Sequence, residues 1–319
     1  MATKGSARLR LVGRAPLALR PSRAGRLAAE GLAAHDEGRV LALFQRSFYL
    51  DLEPADPGRT LVCIAAAELH DGPLTLRVEL GEQGLAWCDL GLAIGQRLAL
   101  GAAEIRLGPG ARIDLRDLPL WQPETSAGPP ADWPGARRLL ERRSCLGQGL
   151  ARLVLDRERA PANATERLAA APLGALREAL GEALAGPPDR LPTAAADAAL
   201  DLLGLGPGLT PSGDDLLAGM LLALDWLARP DLVAAIGARL LAAAAERTTR
   251  ISRAHLAAAS TGQGAAPLHD LLAALASPDP DSLDPALERI SRIGHSSGCD
   301  GIAGIVLVMD ALAASLASV

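Results

Sequence analysis

SGDDLLAGMLLALDWLA at residues 212–228 is repeated as SGCDGIAGIVLVMDALA at residues 297–313, 85 residues further along the chain. The two segments agree without gaps at nine of seventeen positions, and four of the nine are Ala or Leu, which an Ala/Leu-rich chain matches easily. The other five shared positions are Ser212/Ser297, Gly213/Gly298, Asp215/Asp300, Gly219/Gly304 and Asp225/Asp310. Chance is a poor account of that set, so we interpret the pair as an internal repeat.

Each copy predicts a helix that begins at its Ser. A Ser N-cap with an acidic residue three positions later satisfies free backbone N–H groups, and capping alone accounts for both residue types. The glycines need a further reason, because Gly inside a helix costs about 1 kcal/mol relative to Ala. Gly219 and Gly304 each follow an Ala, so one part of each helix surface carries no large side chain. We therefore expect the two helices to cross at these faces, with Asp215 and Asp300 at one shared site.

The first copy is preceded by a Gly/Pro-rich loop, GLGPGLTPS at residues 204–212. Its glycines permit positive φ and expose consecutive N–H groups, which suits a phosphate or carboxylate. No Lys follows them as in a Walker loop, and no strand leads into a dinucleotide-binding fingerprint. The ligand-binding candidates here are Gly206, Gly208, Thr210, Ser212, Gly213 and Asp214.

The negative charges of the acidic residues disfavour the binding of an anion in this loop without a cation beside it. Either Mg²⁺, which prefers oxygen ligands, bridges Asp215, Asp300 and the anion, or the carboxylates bind N–H groups of the backbone and the substrate. The sequence leaves both readings open.

The second copy places His295 where the first has Thr210, in the approach 294–297. A His there is a candidate general acid/base or anion-positioning group, and equally a residue that bonds its own loop. The catalytic candidates are therefore Asp215, Asp300 and His295, with Ser297 and Gly298 as ligand-binding candidates. Ser252 is a further ligand-binding candidate, because hydroxyl and imidazole side chains lie on one helix face among the arginines at 247–255. Such a face suits a polyanionic ligand, and it is equally typical of a helix surface that contacts solvent.

Composition limits the classes of function. The chain has 319 residues, 49% apolar and 22% charged, as in folded globular proteins. A net charge of −5 and only seven aromatic residues argue against a nucleic-acid partner. Scattered cysteines at 63, 88, 145 and 299 predict a reduced, cytoplasmic protein without a zinc site. The apolar run 216–227 is too short to span a membrane and contains Asp225, so we predict no membrane segment.

The organisation predicted is α+β: an N-terminal antiparallel β-barrel or sandwich-like domain, followed by an all-helical domain with an internal helix repeat. Residues 1–38 form a basic, partly disordered N-terminal segment, and 39–120 a β-rich domain with period-two strands. A Pro-rich linker at 121–135 leads into the helical domain, 136–319. Strands are expected at 40–44, 48–52, 60–64, 74–80, 104–107 and 112–115. Helices are expected at 136–143, 165–184, 194–203, 232–248, 250–260, 268–275 and 285–293, besides the two repeat helices.

The motifs together resemble the AllH-like family. The resemblance is carried by GLGPGLTPSGDD at 204–215, the hydroxyl residues at 248–252 and GHSSGCDGIAG at 294–304, with looser matches at 40–52, 61–62 and 71–73. It implies a subunit of oxamate carbamoyltransferase, which converts oxalurate and phosphate to oxamate and carbamoyl phosphate in the use of allantoin and related ureides. It also implies partners: an FdrA-like and an AllG-like protein subunit, alongside a carbamate kinase.

The chemistry of these residues is consistent with the activity that the resemblance implies. Carbamoyl transfer needs an anion site, donors for the carbamoyl oxygen and a group that manages the amide proton. Our hypothesis is one site in which Ser212, Ser297 and backbone N–H groups bind the small anionic substrate, while Asp215 and Asp300 hold Mg²⁺ or a carbamoyl NH₂. The alternatives are a non-catalytic ligand-binding or assembly subunit, and an enzyme acting on another small ureide, amide or carboxylate.

Overall fold

The computed structural model describes residues 17–52, 61–80, 86–123, 128–142, 149–156, 158–187 and 192–317. Contacts divide the chain into two compact units, Met1–Gln122 and Pro123–Val319. Cys145 and the first 16 residues of the predicted basic segment lie outside the described residues. The two units are described separately below.

In the described residues, the first unit is a closed barrel of eight strands with a ninth short strand on its rim. The strands are β1 (Leu17–Gly25), β2 (Glu37–Leu43), β3 (Ser47–Asp51), β4 (Leu61–Ala66), β5 (Thr75–Glu79), β6 (Arg97–Gly101), β7 (Glu104–Arg106), β8 (Ala111–Asp114) and β9 (Leu120–Trp121). β1 pairs on one edge with β5 and on the other with β8, and this double pairing closes the sheet. The predicted α+β class and the N-terminal barrel are confirmed, although three strand pairs, β1–β8, β1–β9 and β4–β5, are parallel.

Side chains that alternate along the strands fill the barrel. In β6, for example, Leu98 and Leu100 are buried and the flanking residues are exposed, as expected when successive side chains point to opposite faces. Phe48 packs edge-on against Trp87, which lies in a short 3₁₀ turn, with ring centroids 5.0 Å apart. The barrel interior is therefore a packed core.

The boundary predicted at residue 39 is wrong. Residues 17–34 form β1 and helix α1 (Arg26–Ala34), and both belong to the barrel unit. Leu19 and Ala24 point into the core, whereas the arginines at 20, 23 and 26 are exposed. Pro21 lies at a register shift of β1 and has no N–H to donate, which hid the strand in the sequence.

The second unit consists of helices in the described residues, as predicted. The helices are α2 (Trp133–Glu141), α3 (Ala151–Leu155), α4 (Ala164–Ala185), α5 (Thr193–Leu200), α6 (Ser212–Trp226), α7 (Pro230–Arg247), α8 (Arg250–Ala259), α9 (Ala266–Ala276), α10 (Leu283–Ile290) and α11 (Ser297–Ala317). The two central helices are the repeat helices α6 and α11, and α4, α7, α8 and α9 pack against them.

The helix α11 is long and apolar enough to cross a membrane by length and composition alone, with a mean hydropathy of 1.8 over its most apolar window. However, 67% of that window is buried inside the unit. The shared glycines and apolar residues of α11 face other helices, so its composition is that of a central core helix.

Candidate functional site

The two repeat helices touch through their backbones. A Cβ atom added to Gly219 of α6 would lie 2.0 Å from the carbonyl oxygen of Gly301, and one added to Gly304 of α11 would lie 2.0 Å from that of Leu216. Only glycine at both positions permits this approach, because real Cβ atoms do not come so close to another atom. The predicted crossing of the repeat helices is therefore present.

The crossing brings together the first turns of both helices. Thr210, just before α6, lies with its Oγ1 3.0 Å from the Oγ of Ser297, the first residue of α11. Each Asp of the pair interacts with the Ser of the other copy. The Ser297 hydroxyl lowers the pKa of Asp215, and the Ser212 hydroxyl lowers the pKa of Asp300. These interactions between the two copies are reciprocal.

Capping by Ser212 was predicted and is not observed. Pro211 occupies the N-cap position of α6, which has no side-chain capping hydrogen bond. Ser212 is instead the first helical residue, and its hydroxyl lowers the pKa of Asp300 in the other helix. The Ser of this repeat therefore joins two helices where a local cap was expected.

Burial dominates the electrostatics of the Asp pair. It raises the pKa of Asp215 to about 8, against the effect of the Ser297 hydroxyl, and the negative charge of Asp300 raises it further. Burial also raises the pKa of Asp300 to about 6, although the Leu150 N–H and two serine hydroxyls lower it. Within the described residues, no basic side chain forms an ion pair with either carboxyl group.

Each carboxyl group keeps one oxygen without a partner. The Oδ1 atom of Asp300 accepts a 2.6 Å hydrogen bond from the Leu150 N–H, just before α3. The Oδ2 atoms of Asp215 and Asp300 are both inaccessible to solvent and accept no hydrogen bond from the described part of the chain. Buried polar atoms nearly always have partners, so these two atoms need an explanation.

A third segment closes over Asp300. Gly149 has φ of +57°, and a Cβ atom there would lie 2.1 Å from Asp300 Oδ1. No sequence pattern predicts this contact, since it joins residues 150 positions apart and glycine and leucine carry no distinguishing chemistry.

Asp214 has a different role from its neighbour. Its Oδ1 accepts a 2.7 Å hydrogen bond from the Gly204 N–H and its Oδ2 accepts one from the Thr248 hydroxyl. Burial raises its pKa. Asp214 therefore ties the start of the Gly-rich loop to the α7–α8 turn, and both of its oxygens are already bonded.

The Gly-rich loop is fixed at its ends and open at its tip. Gly206 and Gly208 have φ of +124° and +98°, a conformation that only glycine adopts easily. A Cβ at Gly206 would lie 2.8 Å from the Ser212 nitrogen, whereas Gly208 faces open space. Leu209 accepts a 2.5 Å hydrogen bond at its carbonyl from the Thr249 hydroxyl. The exposed Gly208 tip is therefore held beside the start of α8.

Two predicted ligand-binding glycines are packing residues. The N–H groups of Gly213 and Gly298 donate to the carbonyls of Leu205 and Ile293, at 2.8 and 3.2 Å. A Cβ atom on Gly213 would lie 1.9 Å from the Leu202 carbonyl oxygen, and one on Gly298 would meet the preceding helix in the same way. Their N–H groups are thus not available to an anion.

The other two candidates differ in burial. His295 is exposed in the turn before α11 and makes no hydrogen bond within the described residues. Ser252, in the first turn of α8, is only 1% exposed. Its hydroxyl lies near enough to Asp214 to lower the pKa of that residue, but its Oγ lacks a hydrogen bond in the described ranges.

Other features of the unit lie elsewhere. The second shared Asp of α11, Asp310, accepts a hydrogen bond from Trp133 Nε1 and pairs with Arg137, beside a surface cavity of about 590 Å³. A second cavity, of about 540 Å³, lies between α2 and the α9–α10 connection. Neither cavity is lined by Asp215 or Asp300. Among the described residues, no group of three or more His, Cys, Asp or Glu side chains is arranged to hold a metal ion.

Comparison with protein families gives two matches. The family described as oxamate carbamoyltransferase subunit AllH matches residues 202–309, which contain the Gly-rich loop and the Asp pair. The AllH family N-terminal domain matches residues 19–120, which form the barrel. No solved structure matches the chain.

Proposed function

Because the chain belongs to the AllH family of oxamate carbamoyltransferase subunits, we propose that it binds the small carbamoyl substrate of that enzyme where α6 and α11 begin. The reaction proposed is exchange of a carbamoyl group between oxalurate and phosphate, giving oxamate and carbamoyl phosphate, in the breakdown of allantoin and related ureides in the cytoplasm. The unpartnered carboxyl oxygens of Asp215 and Asp300 carry this assignment.

A bound carbamoyl group explains those oxygens. A polar atom buried without a partner destabilises a protein by about 1–3 kcal/mol, and each of the two Asp residues carries one such atom. The amide end of oxamate or oxalurate has N–H donors and a carbonyl acceptor. It therefore offers partners of the kind that the two carboxyl groups lack.

The anionic end of the substrate is assigned to the Gly-rich loop. Gly206 and Gly208 have the positive φ typical of loops that expose N–H groups to an anion. The Thr210 hydroxyl near the end of this loop lies 3.0 Å from the Ser297 hydroxyl, and both hydroxyls lower the pKa of Asp215. Ser252 remains a candidate for anion binding, and the exposed His295, two residues before Ser297, remains a candidate for proton transfer. The loop and the Asp pair are thus assigned to opposite ends of one substrate.

Mg²⁺ is the alternative occupant of the Asp pair. Two carboxylates supply part of an octahedral shell, and water and substrate oxygens would complete it. In the described residues the pair has no third acidic or imidazole ligand. A Mg²⁺ ion here would polarise the carbamoyl or phosphoryl oxygen that it contacts.

The family assignment also implies partner subunits, which we propose are the FdrA-like and AllG-like proteins. The hydroxyl and carboxyl groups that join α6 to α11 would equally suit a subunit that only binds ligand while a partner carries the chemistry. Turnover by the isolated chain supports a catalytic subunit, whereas turnover only after the partners are added assigns this chain to binding or assembly.

We expect oxamate binding to be lost in the double variant Asp215→Asn/Asp300→Asn. The change removes every negative charge and proton donor of the carboxyl pair, and the loss of hydrogen bonds to a charged group corresponds to about 1.5–3 kcal/mol, or at least tenfold in affinity. Calorimetric titration with oxamate, oxalurate and carbamoyl phosphate, each with and without Mg²⁺, measures it. The control is Asp225→Asn, the same substitution at the exposed end of α6. Unchanged binding by the folded double variant would rule out this site.

A further inference from the structure

We infer that the tip of the Gly-rich loop and Arg253 of α8 form a subsite for the phosphoryl group of the substrate. The inference rests on the proposed function for the identity of that substrate, and it goes further in naming a positive charge that the loop itself lacks. Residues 204–212 contain no Lys, Arg or His. A phosphate bound there therefore needs a cation from another segment.

The loop carries N–H groups that have no acceptor. The backbone N–H groups of Gly206, Gly208, Leu209 and Thr210 form no hydrogen bond with any part of the chain that the structure describes. Pro207, between the two glycines, has no N–H to donate. Residues 207–209 are exposed, and Gly208 has open space beside it. Four free N–H groups at an accessible loop tip suit the three acceptor oxygens of a phosphoryl group.

A hydrogen bond holds the tip of the loop at the start of α8. The Thr249 hydroxyl donates to the Leu209 carbonyl at 2.5 Å and accepts the Ser252 N–H at 3.1 Å. Thr249 is thus both the N-cap of α8 and the anchor of the loop tip. Its neighbour Thr248 bonds to Asp214 in the first turn of α6. The loop tip therefore lies at the positive end of the α8 dipole.

Arg253 supplies the positive charge. It follows Thr249 by four residues on the same side of α8, and helical side chains lean towards the N-terminus. Its guanidinium therefore extends towards Thr249 and the loop tip. The Nε atom is inaccessible to solvent, and the side chain makes no hydrogen bond or ion pair within the described residues. A partly buried charge without a partner is unfavourable, and a bound phosphoryl group would provide that partner.

A second buried group of α8 also lacks a partner. Ser252 is only 1% exposed, and its Oγ makes no hydrogen bond in the described ranges. The hydroxyl lowers the pKa of Asp214, so it lies close to that carboxyl group. Asp214 in turn accepts the Gly204 N–H at the beginning of the loop. Ser252 therefore faces the base of the loop, while Arg253 extends towards its tip.

The subsite is tested by calorimetric titration of the full chain with inorganic phosphate in the presence of EDTA. Wild type should bind phosphate without Mg²⁺. Arg253→Gln should bind it at least tenfold more weakly, because charge-assisted hydrogen bonds are lost. Arg253→Lys should recover part of the affinity, since Lys still offers a point charge to phosphate.

A matched arginine variant provides the control. Arg239→Gln removes an exposed side chain of α7 that already pairs with Asp197 at 3.0 Å, and it should keep the wild-type affinity for phosphate. The double variant Asp215→Asn/Asp300→Asn should also still bind phosphate, because the subsite lies on the loop and α8. Equal phosphate affinity in wild type and Arg253→Gln overturns the inference, as does the absence of phosphate binding by wild type, alone or with its partner subunits.

The inference and the proposed function fail differently. Oxamate binding that depends on the Asp pair, in a chain whose phosphate affinity ignores Arg253→Gln, overturns the subsite and leaves the proposed function intact. Phosphate binding that needs Mg²⁺ and disappears in Asp215→Asn/Asp300→Asn also overturns the subsite, because the phosphate would then lie on a metal ion at the Asp pair. Phosphate binding that Arg253→Gln weakens, in a chain that binds no oxamate even with its partner subunits, supports the subsite and overturns the proposed function.

Discussion

Gly304→Ala is expected to lower the free energy of unfolding by about 3 kcal/mol or more, and Gly219→Ala by a similar amount. The added methyl group of Gly304→Ala would lie 2.0 Å from the Leu216 carbonyl oxygen and 2.5 Å from the Met220 nitrogen, both backbone atoms of α6. A flexible side chain can move aside, but a helix backbone moves only as a whole. Overpacking of this kind costs about 1–3 kcal/mol even where side chains can rearrange, and here they cannot.

The same substitution at Gly174 and Gly181 provides a matched control. Both glycines lie inside α4, and a Cβ atom at either position would meet nothing within 4 Å. Alanine is favoured over glycine by up to about 1 kcal/mol in a helix interior, so these two variants should be slightly more stable than wild type. Urea denaturation followed by circular dichroism measures all four variants. Equal stability of Gly304→Ala and wild type would show that α6 and α11 do not touch there.

This contact also sets the distance between the functional groups. The glycine faces lie one turn below the Asp pair on each helix, at Gly219 and Gly304. If α11 is pushed away from α6, the Ser297 hydroxyl moves away from Asp215 and Thr210. A folded Gly219→Ala variant should therefore lose oxamate affinity although no ligand-binding residue has changed.

The sequence was sufficient to predict the central crossing, since its evidence is local and duplicated. A glycine inside an apolar helix is unfavourable unless another backbone approaches it, and the repeat identifies that backbone as the other copy. The six predicted strands are present for a similar reason, because in β2, β5, β7 and β8 buried residues alternate with more exposed ones within the segment itself. The described residues also contain what local patterns missed: helices α1 and α3 and strands β1, β6 and β9.

What the sequence could not supply is the partner of each polar group. Asp214 and Asp215 are adjacent and chemically identical, yet successive residues of a helix point about 100° apart. Asp214 therefore bonds to Thr248 and Gly204 while Asp215 faces α11. The Leu150 N–H on Asp300 is a contact over 150 residues, and no periodicity encodes it.

The mistaken assignments have the same origin. Gly213 and Gly298 stand beside the functional residues in the motif, and we therefore assigned them to the ligand. In the structure, their small size serves the close approach of the preceding turn, and their N–H groups are occupied. A motif shows which residues belong together, but it does not separate residues that bind from residues that permit the packing.

The stability of the chain should fall as pH rises from about 5 to 8, and Asp215→Asn should remove much of that dependence. Asp215 has an ordinary pKa of 3.8 when unfolded and a pKa of about 8 when folded. Between these values the folded chain holds a proton that the unfolded chain releases, so the stabilising contribution is complete below pH 3.8 and is lost as pH rises through 8. Asp300, with a folded pKa of about 6, adds a smaller contribution of the same sign.

The expected size makes the effect measurable. One such group changes the free energy of unfolding by about 1.4 kcal/mol per pH unit inside its window. The difference in stability between wild type and Asp215→Asn should therefore shift by at least ~2 kcal/mol between pH 5 and pH 8, in favour of the variant at the higher pH. Urea denaturation at pH 5, 6, 7 and 8 measures this difference, with Asp201→Asn, a substitution at an exposed residue directly after α5, as the control that keeps the wild-type slope. A constant difference between wild type and Asp215→Asn across this range would mean that Asp215 is ionised throughout, and the carboxyl pair would then need a cation.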